Sequence, residues 1–399
     1  MTEAWYNAID FRSGWHWRHL SAEVKTFLCG PNSAELVWVK RNSDRAVARR
    51  GDFFLKFNRL PLWKALFFSP AREEFQAARR LRRARIPTVE HLGYARKGDV
   101  TLLVTRAWHP DACNVDDFWS EHMVLGSDDP TDFLAAFAEF FTALMAKGLY
   151  HPDFHLGNIL WSPGAREFTL VDLHRVSLRP GRAAAGKLFL LEVLPKFRDV
   201  VEPATILRLI QVTTGLSAAA AGQLLRRLLE QEHRTVLHQW ERRKAQFLAG
   251  YPKFSAIVSE GGQSFLIRRD PLRRIMFDPQ KREEFDAEYL SPENAVARML
   301  FSFYLQLLRI PHRPAAAVAA DGTLYLARTE GDRPAPRAAI RAFNEYLLCF
   351  GLTLDDDQAW RQLPGGRIVI GAIQTMLEAV PDRTMFQGEW QGQKGVHTR

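Results

Sequence analysis

His151, Asp153 and Asn158 stand close together in Gly-Leu-Tyr-His-Pro-Asp-Phe-His-Leu-Gly-Asn-Ile-Leu-Trp, residues 148–161, and Asp172 closes an apolar strand in Phe-Thr-Leu-Val-Asp-Leu-His-Arg-Val, residues 168–176. Asp153, Asn158 and Asp172 offer oxygen atoms, the donors that a hard divalent cation such as magnesium prefers. A nucleoside triphosphate brings several negative charges to a transfer point, so metal-holding oxygens and one well-aimed base are what phosphoryl transfer requires. In the register H-x-D-x-x-x-x-N the Asp takes the proton of an acceptor hydroxyl and the Asn makes one metal contact, while an acid at the following strand end makes the other. A hairpin expected over Ile159–Trp161 and Phe168–Val171, about the turn 162–167, returns Asp172 to the loop, and His151 orients that loop. A His-Pro-Asp turn or a strand-terminal Asp is common by itself; their order carries the reading.

Other elements must supply a cation for the phosphates and hold it. The pattern predicts a strand over Glu35–Val39, a basic turn over Lys40–Arg50 and a second strand over Asp52–Phe57. Lys56 lies in the second among Phe53, Phe54, Leu55 and Phe57, a costly place for an ammonium unless an acid or a phosphate neutralises it. Ser69-Pro70 opens a helix running to Ile86, with Phe75, Ala78 and Leu81 as its buried stripe. Of Glu73 and Glu74 the second sits beside that stripe and is the expected partner of Lys56. No G-x-G occurs in the chain, so a glycine-rich phosphate loop is missing. Arg45, Arg49 and Arg50 of the basic turn are candidates to hold phosphates by side chain, and a merely solvated turn is the plain alternative. Gly181–Lys187 imitates a phosphate-binding loop, but Leu188 stands where a magnesium-binding Ser or Thr is needed.

Thr101–Arg106 reads as an apolar strand against which an adenine ring would sit, and Ala107–Asp117 as a hinge. Thr131–Lys147 is a helix with Phe133, Phe137, Phe140, Phe141 and Leu144, ended by Gly148. The aromatic stretch Trp5–His19 is an arm packed on the small lobe or a segment docked at a membrane interface. Arg79, Arg80, Arg82, Arg83 and Arg85 form a basic helix face, solvated or drawn to an anionic surface. Helices follow over Gly186–Leu194, Pro203–Thr213 and Ser217–Leu248.

The chain has 399 residues, 47% of them hydrophobic, enough for two or three packed domains. Cys29, Cys113 and Cys349 are few and widely spaced, which excludes a disulfide framework or a zinc site built from Cys pairs and suits a reducing compartment. No secretory leader pattern opens the sequence and no run is long enough for a membrane span, so a cytoplasmic protein is expected. A net charge of +9 favours anionic partners; without a recognisable binding module, nucleic acid is not expected among them.

From about Pro252 the pattern begins again. A strand at Ser264–Arg269 carries Arg268, a helix spans Leu290–Leu308, Ile310-Pro311-His312 repeats Ile86-Pro87-Thr88, a strand covers Thr323–Arg328 and a helix Ala335–Phe350. Gly351-Leu352-Thr353-Leu354-Asp355 then echoes Gly148-Leu149-Tyr150-His151, with no catalytic Asn or Asp in register. The expected domains are a small lobe at 1–107, a helical lobe with the catalytic loop at 108–251, a C-terminal module at 252–386, read as a degenerate second copy or an ordinary α+β extension, and a mobile tail at 387–399.

His-x-Asp-Phe at 151–154 and Val-Asp-Leu-His-Arg-Val at 171–176 resemble the Kdo/WaaP lipopolysaccharide kinase family, over roughly residues 34–200. The resemblance implies an α+β, bilobal protein-kinase-like fold, ATP and magnesium as cofactors, and transfer to a heptose or Kdo hydroxyl of the lipopolysaccharide inner core. It implies a lipid-linked acceptor and a peripheral, cytoplasmic position at the inner membrane. On this reading Lys56, held by Glu74, steadies the phosphates, Asn158 and Asp172 hold magnesium, and Asp153 is the base. His174 and Arg175 brace Asp172, contact product phosphate or simply pack. Pro152 replaces the Arg that usually follows the loop His, so control by phosphorylation through that group is not expected. The alternatives are a kinase-like phosphotransferase with another acceptor and a non-catalytic nucleotide-binding scaffold in envelope assembly.

Overall fold

The computed structural model describes residues 5–30, 35–124, 129–178, 193–198, 200–269, 276–328, 333–350, 352–354, 359–363, 368–371, 373–378, 380 and 382–390. The helix expected over Gly186–Leu194 and the Gly181–Lys187 stretch fall largely or wholly outside these residues. The chain separates into two compact units, Met1–Phe118 with Thr131–Leu191 and Trp119–Pro130 with Glu192–Arg399, a division that does not follow the boundaries expected at residues 107 and 251.

In the first unit an antiparallel sheet is built from β1 (His16–Arg18), β2 (Val37–Arg41), β3 (Arg45–Arg50), β4 (Phe53–Arg59), β5 (His91–Lys97) and β6 (Val100–Arg106), in the order β1-β5-β6-β4-β3-β2. The basic turn expected at Lys40–Arg50 is thus mostly strand. Arg45-Ala46-Val47-Ala48-Arg49 alternates with period two, and Ala46 and Ala48 are fully buried. Small alanines between arginines hide that alternation from a reading of hydrophobicity.

Alternation also gives the sheet two working faces. Ala46, Ala48, Leu55, Phe57, Leu102 and Val104 meet Phe11, Trp15, Leu20 and, from helix α1 (Ala22–Cys29), Val24 and Leu28. The N-terminal aromatics therefore form an arm that completes the small sheet's core. A side chain at Gly93 would collide with the backbone of Arg18 and Leu20, so β1 can close on β5 only over a glycine. Lys56, between Leu55 and Phe57, points to the opposite face.

There the helix α3 (Pro70–Arg83) lies, reached through the short helix α2 (Leu62–Phe67). Ser69 caps α3 by accepting from the Arg72 N–H, Pro70 fills its first turn, and Ala71, Glu74, Phe75, Ala77, Ala78 and Leu81 are buried. After β7 (Cys113–Asn114), α4 (Val115–Phe118) and α5 (Thr131–Ala146) come β8 (Leu149–Tyr150), the hairpin β9 (Ile159–Ser162) with β10 (Glu167–Leu170), and β11 (Ser177–Leu178). Two fastenings join the sheet's surroundings to these elements. Thr88 bridges Leu170, whose N–H reaches Pro87 O (3.2 Å), and Lys147 on the end of α5 donates to Arg85 O (2.8 Å). Further along, β7 pairs with β9, and the Asp111 carboxylate accepts from Ser162 Oγ (2.8 Å) and Gly164 N–H (2.7 Å).

The second unit holds α6 (Pro203–Thr214), α7 (Ala218–Leu248), β12 (Ser255–Glu260), β13 (Gln263–Arg268), β14 (Asp286–Tyr289), α8 (Pro292–Leu307), β15 (Ala315–Ala319) and β16 (Thr323–Leu326). The strands form a sheet of order β12-β13-β15-β16-β14. Then come β17 (Arg333–Pro334), α9 (Arg337–Leu347), β18 (Trp360–Gln362), β19 (Ile368–Ile370) and α10 (Ile373–Glu378). Glu232 of α7 takes Lys196 and Arg198, each at 2.7 Å, and Arg198 Nε donates to Leu308 O (2.7 Å) at the end of α8. In the tail expected to move from Gln387, Gln387–Glu389 are exposed and Trp390 is buried, 1% exposed. Among the described residues no single helix is long and apolar enough to cross a membrane; α6 and α7 together reach that length and composition, but bend by 112° and bury Ile206, Ile210, Leu225 and Leu229.

One construction occurs in both units. After α3, Arg85 turns left-handed (φ 54°) and Ile86 N–H returns to Leu81 O; after α8, Arg309 does the same (φ 53°) and Ile310 N–H returns to Leu305 O. An Ile-Pro pair follows each time, then a parallel bridge, Thr88 to Leu170 and His312 to Ile370. The bridged strand is the edge of a three-stranded antiparallel sheet, β7-β9-β10 in one unit and β17-β18-β19 in the other. Val171 N–H reaches Asn158 O (3.0 Å) where Gly371 N–H reaches Ala359 O (2.7 Å). The larger sheets differ: β4 pairs with the second strand after its helix, β6, whereas β13 pairs with the first, β15.

Candidate active site

Lys56 reaches the α3 face in the middle of a fully paired strand, between Val47 of β3 and Leu103 of β6. Its ammonium is 2.6 Å from Glu74 Oε2 and 2.6 Å from Asp172 Oδ1, and its side chain is 14% exposed. Glu74 is buried because it lies on the helical stripe with Phe75, Ala78 and Leu81. Its other oxygen accepts from Leu173 N–H (3.3 Å), with His91 Nε2 4.0 Å away. Burial pushes the Glu74 carboxyl up, but His91 and Lys56 outweigh it and hold the group below the usual range. Glu73 points elsewhere, toward His174 (3.9 Å).

Asp172 follows β10 in a left-handed conformation, φ 54°, a geometry that Asp tolerates better than bulkier residues. Lys56 holds Oδ1, and Arg45 Nη2 donates to Oδ2 at 2.7 Å. Burial acts to raise this carboxyl as well, yet the two cations bring it down to about 2. Asp172 therefore stays ionised throughout the physiological range.

Val171 N–H ties the strand end to the loop through Asn158 O. Asn158 is itself buried, and its amide nitrogen donates to Asp153 O (2.9 Å), leaving the amide oxygen as the atom a cation would use. His151 is fully buried; Nδ1 accepts from Asp153 N–H (3.3 Å), and burial lowers its pKa, so the ring is neutral and shapes the loop from within. Asp153 keeps its backbone in these bonds and its carboxylate exposed, 3.7 Å from His155 Nε2. A base that must meet an incoming hydroxyl has to be so placed. His174 packs edge-on against Phe68 (6.1 Å), and Arg175 is exposed.

The structure thus brings Lys56, Glu74 and Asp172 into one ion cluster and ties Asn158, His151 and Asp153 into one loop. Of the three arginines proposed from the sequence, only Arg45 enters the cluster: Arg49 turns to Gly51 O (2.9 Å), and Arg50 to Leu28 O (2.7 Å) over the Phe11 ring. His91 had no signal in the sequence. A magnesium ion fits the donor set, a carboxylate and an amide oxygen, and positive charge already stands at both oxygens of Asp172.

Residues 35–189 match the lipopolysaccharide kinase (Kdo/WaaP) family. The match covers less than half of the chain and, apart from Trp119–Pro130, lies in the first unit. A solved structure, WaaP in complex with acyl carrier protein, is similar at 20% identity over 49% of this chain and 86% of that one, with a TM-score of 0.39. No curated protein matches the chain. Members of the matched family are kinases, and its segment here contains every residue of the cluster and the loop.

Proposed function

We propose that the first unit transfers the γ-phosphoryl group of ATP to a sugar hydroxyl, heptose or Kdo, of the lipopolysaccharide inner core. The observation that carries the proposal is the Lys56 ammonium between Glu74 and Asp172, both at 2.6 Å. Lys56 steadies the α- and β-phosphates, and Glu74 fixes its direction. Asn158 and Asp172 would hold magnesium, which when bound offsets the charge of the transferring group. Asp153 aims the acceptor hydroxyl and takes its proton; His151 and the amide of Asn158 hold Asp153 at the required position. Most of the acceleration would come from placement and charge stabilisation, because a loose phosphoryl transition state needs little covalent help.

The position of the acceptor follows from the surface of the same unit. Trp63 and Phe67, one turn apart on α2, are 65% and 90% exposed, and Arg72, Arg79 and Arg83 share one exposed stripe of α3. Exposed aromatics on one helix and aligned cations on the next suit an anionic bilayer surface, which supports a peripheral place at the inner membrane. Cys29, Cys113 and Cys349 remain thiols, in keeping with its cytoplasmic face.

The second unit, in this reading, is a degenerate copy of the same scaffold. Support comes from the shared helix exit, Ile-Pro bridge and three-stranded sheet. Ala359 stands in the place of Asn158, and Arg268 in β13 donates to Gln306 (2.7 Å) and Ser302 (2.9 Å).

Labelled ATP and purified core glycolipids test the proposal directly. Label should pass to a heptose- or Kdo-bearing acceptor and not to soluble amines, and lipopolysaccharide from a strain lacking the protein should lose phosphate by intact mass. An unchanged phosphate count would exclude this substrate.

A further inference from the structure

Both oxygens of the Asp172 carboxylate are taken, Oδ1 by Lys56 at 2.6 Å and Oδ2 by Arg45 at 2.7 Å. A divalent cation at this carboxylate needs at least one of them. A metal ion drawn to either oxygen meets the cation already there, and the repulsion between the two favours binding once one of the cations has left. Lys56 is held from two sides and its side chain is 14% exposed; the side chain of Arg45, at the first position of β3, is 37% exposed and pairs with Asp172 alone among the described residues. Arg45 is the one that can swing away.

We propose that Arg45 is a displaceable cap on the metal-binding carboxylate: it pairs with Asp172 in the nucleotide-free protein and passes to the phosphate oxygens when a metal–nucleotide takes Oδ2. The proposal rests on the phosphoryl-transfer reading above. Three features of the chain require something of this kind. An Asp172 that is largely buried would face Lys56 alone without a second cation, and Lys56 is already shared with Glu74. The turn before β3, Asn42-Ser43-Asp44, has no glycine to bring backbone amides onto the phosphates. Arg49 and Arg50 are committed to backbone carbonyls. A guanidinium presents a planar fork that pairs with carboxylate and phosphate alike, so the handover exchanges one charge-assisted pair for another.

The test uses the full-length protein and a metal-binding readout instead of turnover. Free Mn2+ is titrated by electron paramagnetic resonance without nucleotide, and Mg-ATP affinity is measured by calorimetry. In Arg45→Gln the Mn2+ affinity should rise about tenfold and Mg-ATP affinity fall about tenfold, the size of one charge-assisted pair. Arg45→Lys, which keeps the charge without the fork, should restore exclusion of Mn2+ but not nucleotide affinity. If neither affinity moves in Arg45→Gln, the cap is overturned. Asp172→Asn made in the Arg45→Gln chain separates this from the underlying reading: if the double variant binds Mn2+ as tightly as Arg45→Gln alone, Asp172 is not a metal ligand and the phosphoryl-transfer reading of this site fails.

Discussion

Asp153 offers the sharpest single-residue test, because its carboxylate is exposed while its backbone is held by His151 and Asn158. Asp153→Asn should cut phosphoryl transfer by about 10²–10⁴-fold, the range for a lost general base, and leave ATP affinity and melting temperature near wild type. A stopped assay beside calorimetry separates these outcomes, and an equal loss of affinity would assign Asp153 to binding instead. Glu232 tests the second unit through pH. Burial would raise its carboxyl, but Arg198 and Lys196 hold it at about 2; Lys196 itself is pulled down by burial and by its neighbours Arg198 and Arg309. A carboxyl lower in the folded than in the unfolded chain contributes stability above pH ~4.5 that is lost as pH falls toward ~2, on the order of 2–3 kcal/mol here. Denaturant midpoints between pH 6 and 2.5 should fall accordingly, and Glu232→Gln should lower stability at pH 6 while flattening that slope.

At the scale of elements, the two three-stranded sheets set up a count. If the second unit is a copy without its metal ligands, calorimetry with a non-hydrolysable ATP analogue reads one site per chain, and Lys56→Ala abolishes it. A site that survives Lys56→Ala would place nucleotide binding elsewhere. The loop from His151 to Asn158 and the end of β10 were legible because their residues fall within one short stretch and local spacing fixes which atoms meet. Lys56 and Glu74 were legible for a related reason: a cation inside an apolar strand and an acid on a buried helical stripe each demand a partner. β3 was not, since alanine scarcely registers as hydrophobic although Ala46 and Ala48 are fully enclosed. Nor was the pairing of Arg45 with Asp172, which joins positions 127 apart in the chain and depends on how the strands stack. α2 escaped notice as well, because six residues of helix between a strand and a capped helix look like a connection.

For the molecule as a whole, a charge of +9 gives attraction to anions but no address; in the proposed reading the aromatic pair on α2 supplies one. The full-length protein should co-sediment with vesicles containing phosphatidylglycerol and much less with phosphatidylcholine alone. The double substitution Trp63→Ser, Phe67→Ser should weaken that binding about tenfold or more, given the apolar area withdrawn. Retention of wild-type binding in that variant would leave the arginines of α3 as the sole attraction, and binding only to an acidic protein would replace the membrane altogether. The fastenings within the first unit bear on how substrate gets in and out. The hairpin that carries Asp172 is clasped at Pro87–Thr88 and again at Asp111–Asn114. With the hairpin clasped at these two places, and Lys147 holding Arg85 O beside the first, we expect the sheet bearing Lys56 to turn over the loop about the line through them, like a door on two hinges, rather than slide across it. ATP and its product would then come and go through the side away from that line, and the distance from Lys56 to Asp172 would be the width of the opening.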